Sequence, residues 1–104
     1  MTSPSKRKGN RFEHECVSRA QEFELESQRA WGSDGRSLGM DSEVDMLIED
    51  WTVQCKIRKA LPKWIKPANQ SVDIQLIRED RGDTYAIVRY GDFLDLLREV
   101  KRAS

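Results

Sequence analysis

The sequence predicts an α/β protein in which a mixed β-sheet is flanked by α-helices. Apolar residues recur at helical spacing near the amino end and again in the last stretch of the chain. Between these two runs, apolar and polar residues alternate in several short segments, which is typical of strands with one buried face. We therefore expect elements in the order α-β-β-β-α-β-β-α, with helices packed on a sheet.

The length of 104 residues predicts one domain with a modest hydrophobic core. We expect residues 1–8 to form a flexible basic arm and residues 9–104 to form a single domain. The 18 Lys and Arg residues balance the 18 Asp and Glu residues, so the net charge gives no reason to expect a nucleic-acid partner. The distribution of charge along the chain does give a reason to expect such a partner, because basic clusters flank an acidic centre, as suits a site that binds both phosphate and metal. Two ordinary solvated charge runs are the alternative.

The two cysteines, Cys16 and Cys55, fall on predicted apolar faces and are expected to be reduced and buried. Together with a single histidine they do not make a convincing zinc site. The sequence shows no signal peptide and no long apolar run, so we expect a soluble, cytoplasmic protein.

The first predicted helix runs from about Asn10 to Phe23. Asn10 is suited to the N-cap, with Glu13 three residues later. Glu13 lies near the edge of the apolar face and, taken alone, is better explained as a capping or helix-dipole residue. The apolar stripe of this helix consists of Phe12, Cys16, Val17, Ala20 and Phe23.

A loop over residues 32–41 follows a short predicted strand over 28–31. The loop contains Gly32, Gly35 and Gly39, which indicates either a close backbone approach to a ligand or a mobile lid. A plain flexible connection explains the same pattern equally well.

Residues 44–57 predict a β-hairpin whose tight turn is the polar pair at 49–50. In that register Asp45 lies opposite Gln54, and Lys56 is diagonal to Asp45. These three side chains would share one solvent-facing side, whereas Cys55 would face the core. Such a face can hold a divalent cation beside a phosphate, and an exposed ion pair between Asp45 and Lys56 is the simpler alternative.

The rest of the chain predicts a short helix, two strands and a final helix. The short helix covers residues 61–65, and alternating apolar residues place strands near 72–76 and over 84–90. The final helix is capped by Asp92 and carries an apolar stripe over residues 93–100.

Four short segments occur in a recognisable order: KGNRFEHE at 8–15, RAWGS at 29–33, VDMLI at 44–48 and QCK at 54–56. This pattern resembles the PD-(D/E)XK nuclease superfamily, and within it most of all the archaeal-type Holliday junction resolvases and related small phage endonucleases. The resemblance implies a restriction-endonuclease-like fold. A D…QxK pattern alone is a weak signal, whereas four segments on the expected helix, loop and hairpin are a stronger one.

The resemblance also implies a Mg²⁺ site, with Mn²⁺ as an alternative metal. Asp45 would be the central ligand, completed by Glu13 and by the backbone carbonyl of Cys55. Gln54 would occupy the position of the family's acidic residue, and it departs from the usual pattern because an amide oxygen adds no charge. Lys56 would orient the attacking water and stabilise charge at the phosphate. The implied catalytic set is Glu13, Ser33, Asp45, Gln54 and Lys56, in which Ser33 matches a serine near the scissile phosphate.

These roles predict a metal-dependent endodeoxyribonuclease that resolves four-way (Holliday) junctions, in the host cytoplasm if the protein is phage-encoded. A homodimer would supply the two symmetric cuts, and the stripe over 93–100 with Trp64 and Ile65 is its candidate interface. The alternatives are another repair or DNA-end nuclease of this superfamily and a non-catalytic nucleic-acid-binding module on the same fold. The candidate DNA contacts are Lys8, Arg11, Arg29, Arg58 and Lys59.

Overall fold

The computed structural model describes residues 3–30 and 34–104, and it confirms that the protein mixes α and β structure. The chain divides into two compact units, Met1–Ile57 and Arg58–Ser104, which we call unit 1 and unit 2. Each unit is described by itself, and the expectation of a single domain over residues 9–104 stays a prediction. In the described part of the chain, neither helix has the length and apolar content that crossing a bilayer requires.

Unit 1 begins with helix α1, which spans Pro4–Glu22. Ser3 is its N-cap, and the side chain accepts a hydrogen bond from the backbone N–H of Lys6 at 3.1 Å. The proline that follows suits the first turn, where its missing N–H has no helical partner to lose. Residues 4–8 are therefore helical and the predicted start at Asn10 is wrong, whereas the flexibility of the arm stays a prediction. The Ser-Pro pair is itself a helix start signal.

Three short antiparallel strands form the sheet of unit 1. They are β1 (Ser27–Arg29), β2 (Met46–Ile48) and β3 (Trp51–Val53), in that order across the sheet. Ile48 pairs with Trp51, so the predicted turn at 49–50 and the register beside it are confirmed.

The hairpin turn is held against the segment that precedes β1. Glu49 has a left-handed backbone with φ 51°, which tight hairpin loops use but which is uncommon for a residue other than glycine. Its N–H donates to the carbonyl oxygen of Glu26 at 2.7 Å, and its carboxylate accepts from the Glu26 N–H at 2.7 Å. These two hydrogen bonds stabilise the turn.

Helix α1 packs against β1 and β2, and the core of unit 1 lies between them. Met46 and Ile48 are fully buried, whereas Leu47 between them is half-buried, as expected from the alternation of faces along β2. The buried apolar residues of unit 1 are Cys16, Ala20, Leu25, Ala30, Met46 and Ile48.

Two glycines of the predicted loop are explained by the path of the chain. Gly35 begins a 3₁₀ helix over Gly35–Leu38, and a Cβ placed on it would overlap the carbonyl oxygen of Asp41 and lie 2.7 Å from the Cβ of Val44. Gly39 ends this helix with φ 73°, a left-handed conformation that favours glycine. A ligand is not needed to account for either residue, and Gly32 lies outside the described residues.

Unit 2 consists of two antiparallel strands followed by a helix. Strands β4 (Ile74–Arg78) and β5 (Thr84–Val88) confirm the two predicted strands, although the second ends earlier because helix α2 (Tyr90–Ala103) begins at Tyr90. Arg89 is the N-cap, so the predicted capping role of Asp92 is wrong.

Two expectations about architecture differ from the structure. Residues 61–65 form a turn rather than a helix, with the N–H of Ile65 donating to the Pro62 carbonyl at 3.1 Å. All paired strands in the described ranges are antiparallel, and they form two separate sheets of three and two strands. The single mixed sheet is therefore not seen in this part of the chain, because each hairpin pairs only within its own unit.

Candidate functional site

Unit 1 buries two acidic side chains that come from different elements. Glu13 on α1 is 5% exposed, and Asp45, directly before β2, is 9% exposed. Burying a carboxylate is costly unless hydrogen bonds or an opposite charge compensate. The groups around each carboxylate therefore determine what this site can do.

Arg29 on β1 holds the Glu13 carboxylate. Its Nε donates to Glu13 Oε1 at 2.8 Å, and the two side chains are 20% and 6% exposed. Its Nη2 donates to Asn10 Oδ1 at 3.2 Å, and its Nη1 donates to His14 Nε2 at 3.1 Å. The three partners are spaced i, i+3 and i+4 and so lie on one face of α1. The guanidinium of Arg29 thus links this face of α1 to strand β1.

Asp45 is fixed between the two neighbouring segments by its backbone and its side chain. Its N–H donates to the Val53 carbonyl at 2.8 Å, and its carbonyl accepts from the Ala30 N–H at 2.9 Å. Its Oδ2 accepts from the backbone N–H of Cys55 at 2.6 Å. The predicted solvent-facing position of Asp45 is therefore wrong, because the carboxylate binds the backbone just beyond the last strand pair.

The thiols of Cys16 and Cys55 lie within hydrogen-bond distance of each other and near these carboxylates. The pKa of Cys55 is raised to about 12, mainly because the thiol is removed from water and in addition because negative charges lie nearby. Burial also raises the pKa of Cys16, while the hydrogen bond from Cys55 lowers it in part. Both cysteines are free thiols in the structure; Cys16 is buried, as expected, whereas Cys55 is half-buried.

Gln54 and Lys56 are exposed, whereas Cys55 between them is half-buried. This alternation confirms that Gln54 and Lys56 share one face of the chain, although Asp45 does not join them there. Gln54 Nε2 donates to Glu43 Oε2 at 2.7 Å, so a second acidic side chain orients the amide.

The buried acidic side chains of unit 1 offer few ligands for a metal ion. The described ranges contain no group of three or more His, Cys, Asp or Glu side chains arranged to hold a metal. Mg²⁺ prefers hard oxygen ligands and keeps several waters, so one or two carboxylates suffice. Glu13 and Asp45 are the two buried carboxylates in the described part of unit 1, and both lie near Cys55. Ser33, the remaining predicted site residue, lies outside the described residues.

The candidate DNA contacts divide into two groups. Lys8 and Arg11 are exposed on α1, and Arg58 and Lys59 are exposed at the start of unit 2, so all four are accessible to a phosphate backbone. Arg29 is different, because its guanidinium is directed at α1. It is a positioning residue for Glu13.

Sequence reasoning missed two contacts of this site. One is the binding of Arg29 to Glu13, for which the only signal was the one-face spacing of Asn10, Glu13 and His14. The other is the contact between the two thiols, for which the signal was that Cys16 and Cys55 each fall on a predicted apolar face.

Comparison with known proteins finds no family model, no curated protein and no solved structure that matches this chain. The resemblance to PD-(D/E)XK nucleases therefore rests on the sequence pattern alone. The geometry around Glu13 and Asp45 is the second, independent basis for assigning a function.

Proposed function

We propose that this protein is a Mg²⁺-dependent endodeoxyribonuclease with a restriction-endonuclease-like fold, and that four-way junctions are its substrate. The observation that carries the proposal is the pair of buried carboxylates, Glu13 and Asp45, which α1 and the segment before β2 bring to the neighbourhood of Cys55. Acidic residues are almost never buried in proteins unless they are paired or functional. Their order along the chain, followed by the QCK segment, is the pattern that resembles the nucleases.

The roles of the residues follow from what holds them. Glu13 and Asp45 would bind the metal, which lowers the pKa of a bound water and offsets charge at the phosphate. Arg29 and the Cys55 N–H orient these carboxylates in advance, so little reorganisation is needed when DNA binds. The exposed amine of Lys56 would stabilise negative charge that develops on the phosphate oxygens.

The direct test is cleavage of a labelled four-way junction, a duplex and a single strand, each with Mg²⁺ and with chelator. Asp45→Asn removes the charge but keeps an oxygen for the Cys55 N–H, so it tests chemistry with little effect on folding. We expect Asp45→Asn and Lys56→Ala each to lower the cleavage rate at least about 100-fold. Asp50→Asn makes the same chemical change at an exposed turn position and should alter the rate by less than about 2-fold. Full activity of Asp45→Asn would refute the site.

A non-catalytic nucleic-acid-binding module is the second candidate. It is favoured by the neutral Gln54 and by the lack of a three-ligand group among the described residues. Junction binding without cleavage in Mg²⁺ or Mn²⁺ would select this candidate. Faster cleavage of duplex ends than of junctions would instead select another repair nuclease of the same superfamily.

We also propose that the protein acts as a homodimer. Helix α2 exposes Leu96 and Val100, which are spaced i, i+4 and so lie on one face as a candidate contact surface. A two-fold dimer would present two equivalent sites to a junction. Light scattering at micromolar concentration should give the dimer mass, and Leu96→Glu should give the monomer mass. A monomer that still cuts junctions symmetrically would contradict the dimer.

A further inference from the structure

A long segment of the chain carries basic side chains and no acidic ones. Between Trp51 and Val72 there is no Asp or Glu, although 18 of the 104 residues are acidic. The cations that this segment contributes to unit 2 are Arg58, Lys59, Lys63 and Lys66. A run of cations without local acids creates a positive potential that attracts a polyanion.

Two of these cations border an open groove on unit 2. Lys63 and Lys66 line a groove of about 610 Å³ together with the amides of Asn69 and Gln70 and the apolar end of β5. Both lysines are exposed, and neither forms an ion pair with any described residue. Their charges are therefore available to a ligand in the groove.

Arg89 gives the groove a fixed shape. Its Nη1 donates to the Val72 carbonyl at 3.1 Å, and its Nη2 donates to the Asn69 carbonyl at 3.0 Å. The Asn69 side chain in turn accepts from the N–H of Ser71 at 2.9 Å. The loop that lines the groove is thus held to the start of α2, so a ligand would meet a surface that is already ordered.

An exposed tryptophan belongs to the same turn as the two lysines. Trp64 is 64% exposed, although aromatic side chains contribute most when they are buried. Its backbone is fixed, because its carbonyl accepts from Gln75 Nε2 at 3.1 Å. Trp64 lies between the two lysines in sequence and is not itself part of the groove lining, so its exposed indole is a neighbour of the groove. An exposed indole next to cations supplies the two features of single-strand binding surfaces, which are an aromatic platform for a base and charges for the backbone.

We propose that this groove of unit 2 binds single-stranded nucleic acid, with phosphates at Lys63 and Lys66 and one base stacked on Trp64. The phosphates of a duplex could also bind the two lysines, but its bases could not stack on the indole, because they are already stacked on one another. The groove and Trp64 lie wholly within residues 58–104, so the binding of a single strand there does not require Glu13, Asp45 or a metal ion.

The test is fluorescence anisotropy of labelled oligothymidylate with the full-length protein in chelator. Trp64→Ala should weaken binding about 5- to 150-fold, as expected for the loss of one stacked base, whereas Trp64→Phe should retain most of the affinity. Replacing both lysines by glutamine should reduce the slope of log K against log salt by about 1.4. Trp51→Ala is the matched control, since Trp51 is 57% exposed but lies on β3 of unit 1. It should change the affinity by less than about 2-fold.

Two results would overturn the proposal: unchanged affinity in folded Trp64→Ala, or binding of duplex and heparin as tight as that of oligothymidylate. If circular dichroism shows that Trp64→Ala is unfolded, the salt slope of the lysine variant decides. The nuclease proposal is tested separately, because Asp45→Asn should keep oligothymidylate binding. Binding without cleavage refutes only the nuclease, and cleavage without this binding refutes only the groove.

Discussion

The contact between Arg29 and Glu13 gives the sharpest test of how the candidate site is built. Replacing Arg29 by methionine leaves the Glu13 carboxylate buried, with 6% of its side chain exposed and without its charged partner. Breaking a buried pair by removing one partner costs about 3–5 kcal/mol of unfolding free energy. Because Arg29 itself is 20% exposed, water can replace part of what is lost, and we expect the lower end of that range.

A double-mutant cycle separates the pair from its surroundings. Glu13→Leu removes the buried charge and leaves a partly exposed guanidinium, so it should cost about 2 kcal/mol. The double variant with Arg29→Met removes both charges of this pair, and its cost should be about 2 kcal/mol less than the sum of the single costs. The Arg98–Asp95 pair on α2 is the control, because its side chains are 29% and 53% exposed. Its coupling should be below about 0.5 kcal/mol.

The measurement is urea unfolding followed by circular dichroism for the parent and the six variants of the two cycles. A loss of about 3 kcal/mol corresponds to a fall in Tm of roughly 12–24 °C for a domain of this size, so heating gives a second reading. If the Arg29 and Glu13 costs add to within about 0.5 kcal/mol, the two side chains do not interact energetically. The account of Arg29 as the residue that holds Glu13 would then be wrong.

Three further predictions test the surroundings of the site. Gly35→Ala should destabilise unit 1 by about 1–3 kcal/mol in urea unfolding, because the new methyl group would overlap the backbone. Gly9→Ala lies on α1 with open space around it and should stabilise the protein by about 0.5–1 kcal/mol. Equal effects of the two substitutions would contradict this explanation. Burial raises the pKa of the Cys55 thiol to about 12 from an ordinary value of 9.0, so between these pH values the thiol keeps its proton in the folded state and loses it in the unfolded state. The free energy of unfolding should therefore fall as the pH rises from 9 towards 12, and it should fall less in Cys55→Ala. An equal fall in both proteins would show that Cys55 is accessible to water. Gln54→Glu turns the hydrogen bond to Glu43 into a repulsion and adds one negative charge on the exposed face that Gln54 shares with Lys56. If Gln54 is a metal ligand, as the resemblance implies, the added charge should lower the Mg²⁺ concentration for half-maximal cleavage. An unchanged value would mean that Gln54 is not a ligand.

Local signals in the sequence were sufficient for the elements that depend on neighbours along the chain. The alternation over residues 44–57 and the polar pair at the turn predicted the hairpin and its register, because strand faces and tight turns are properties of a few adjacent residues. The apolar periodicity of α1 and α2 predicted two helices for the same reason. The starts of both helices were misplaced, since Asn10 suits an N-cap as well as Ser3 does, and Asp92 suits one better than Arg89, whose side chain forms no capping hydrogen bond.

The sequence by itself determined which residue types are present for chemistry: Glu13, Asp45 and the QCK segment, in an order that resembles a nuclease family. Only the tertiary structure decided that Asp45 is buried, that Arg29 serves Glu13, and that Cys16 meets Cys55. These contacts join residues far apart in the chain. Which of them form depends on how a helix packs on a sheet, and local spacing does not contain that information.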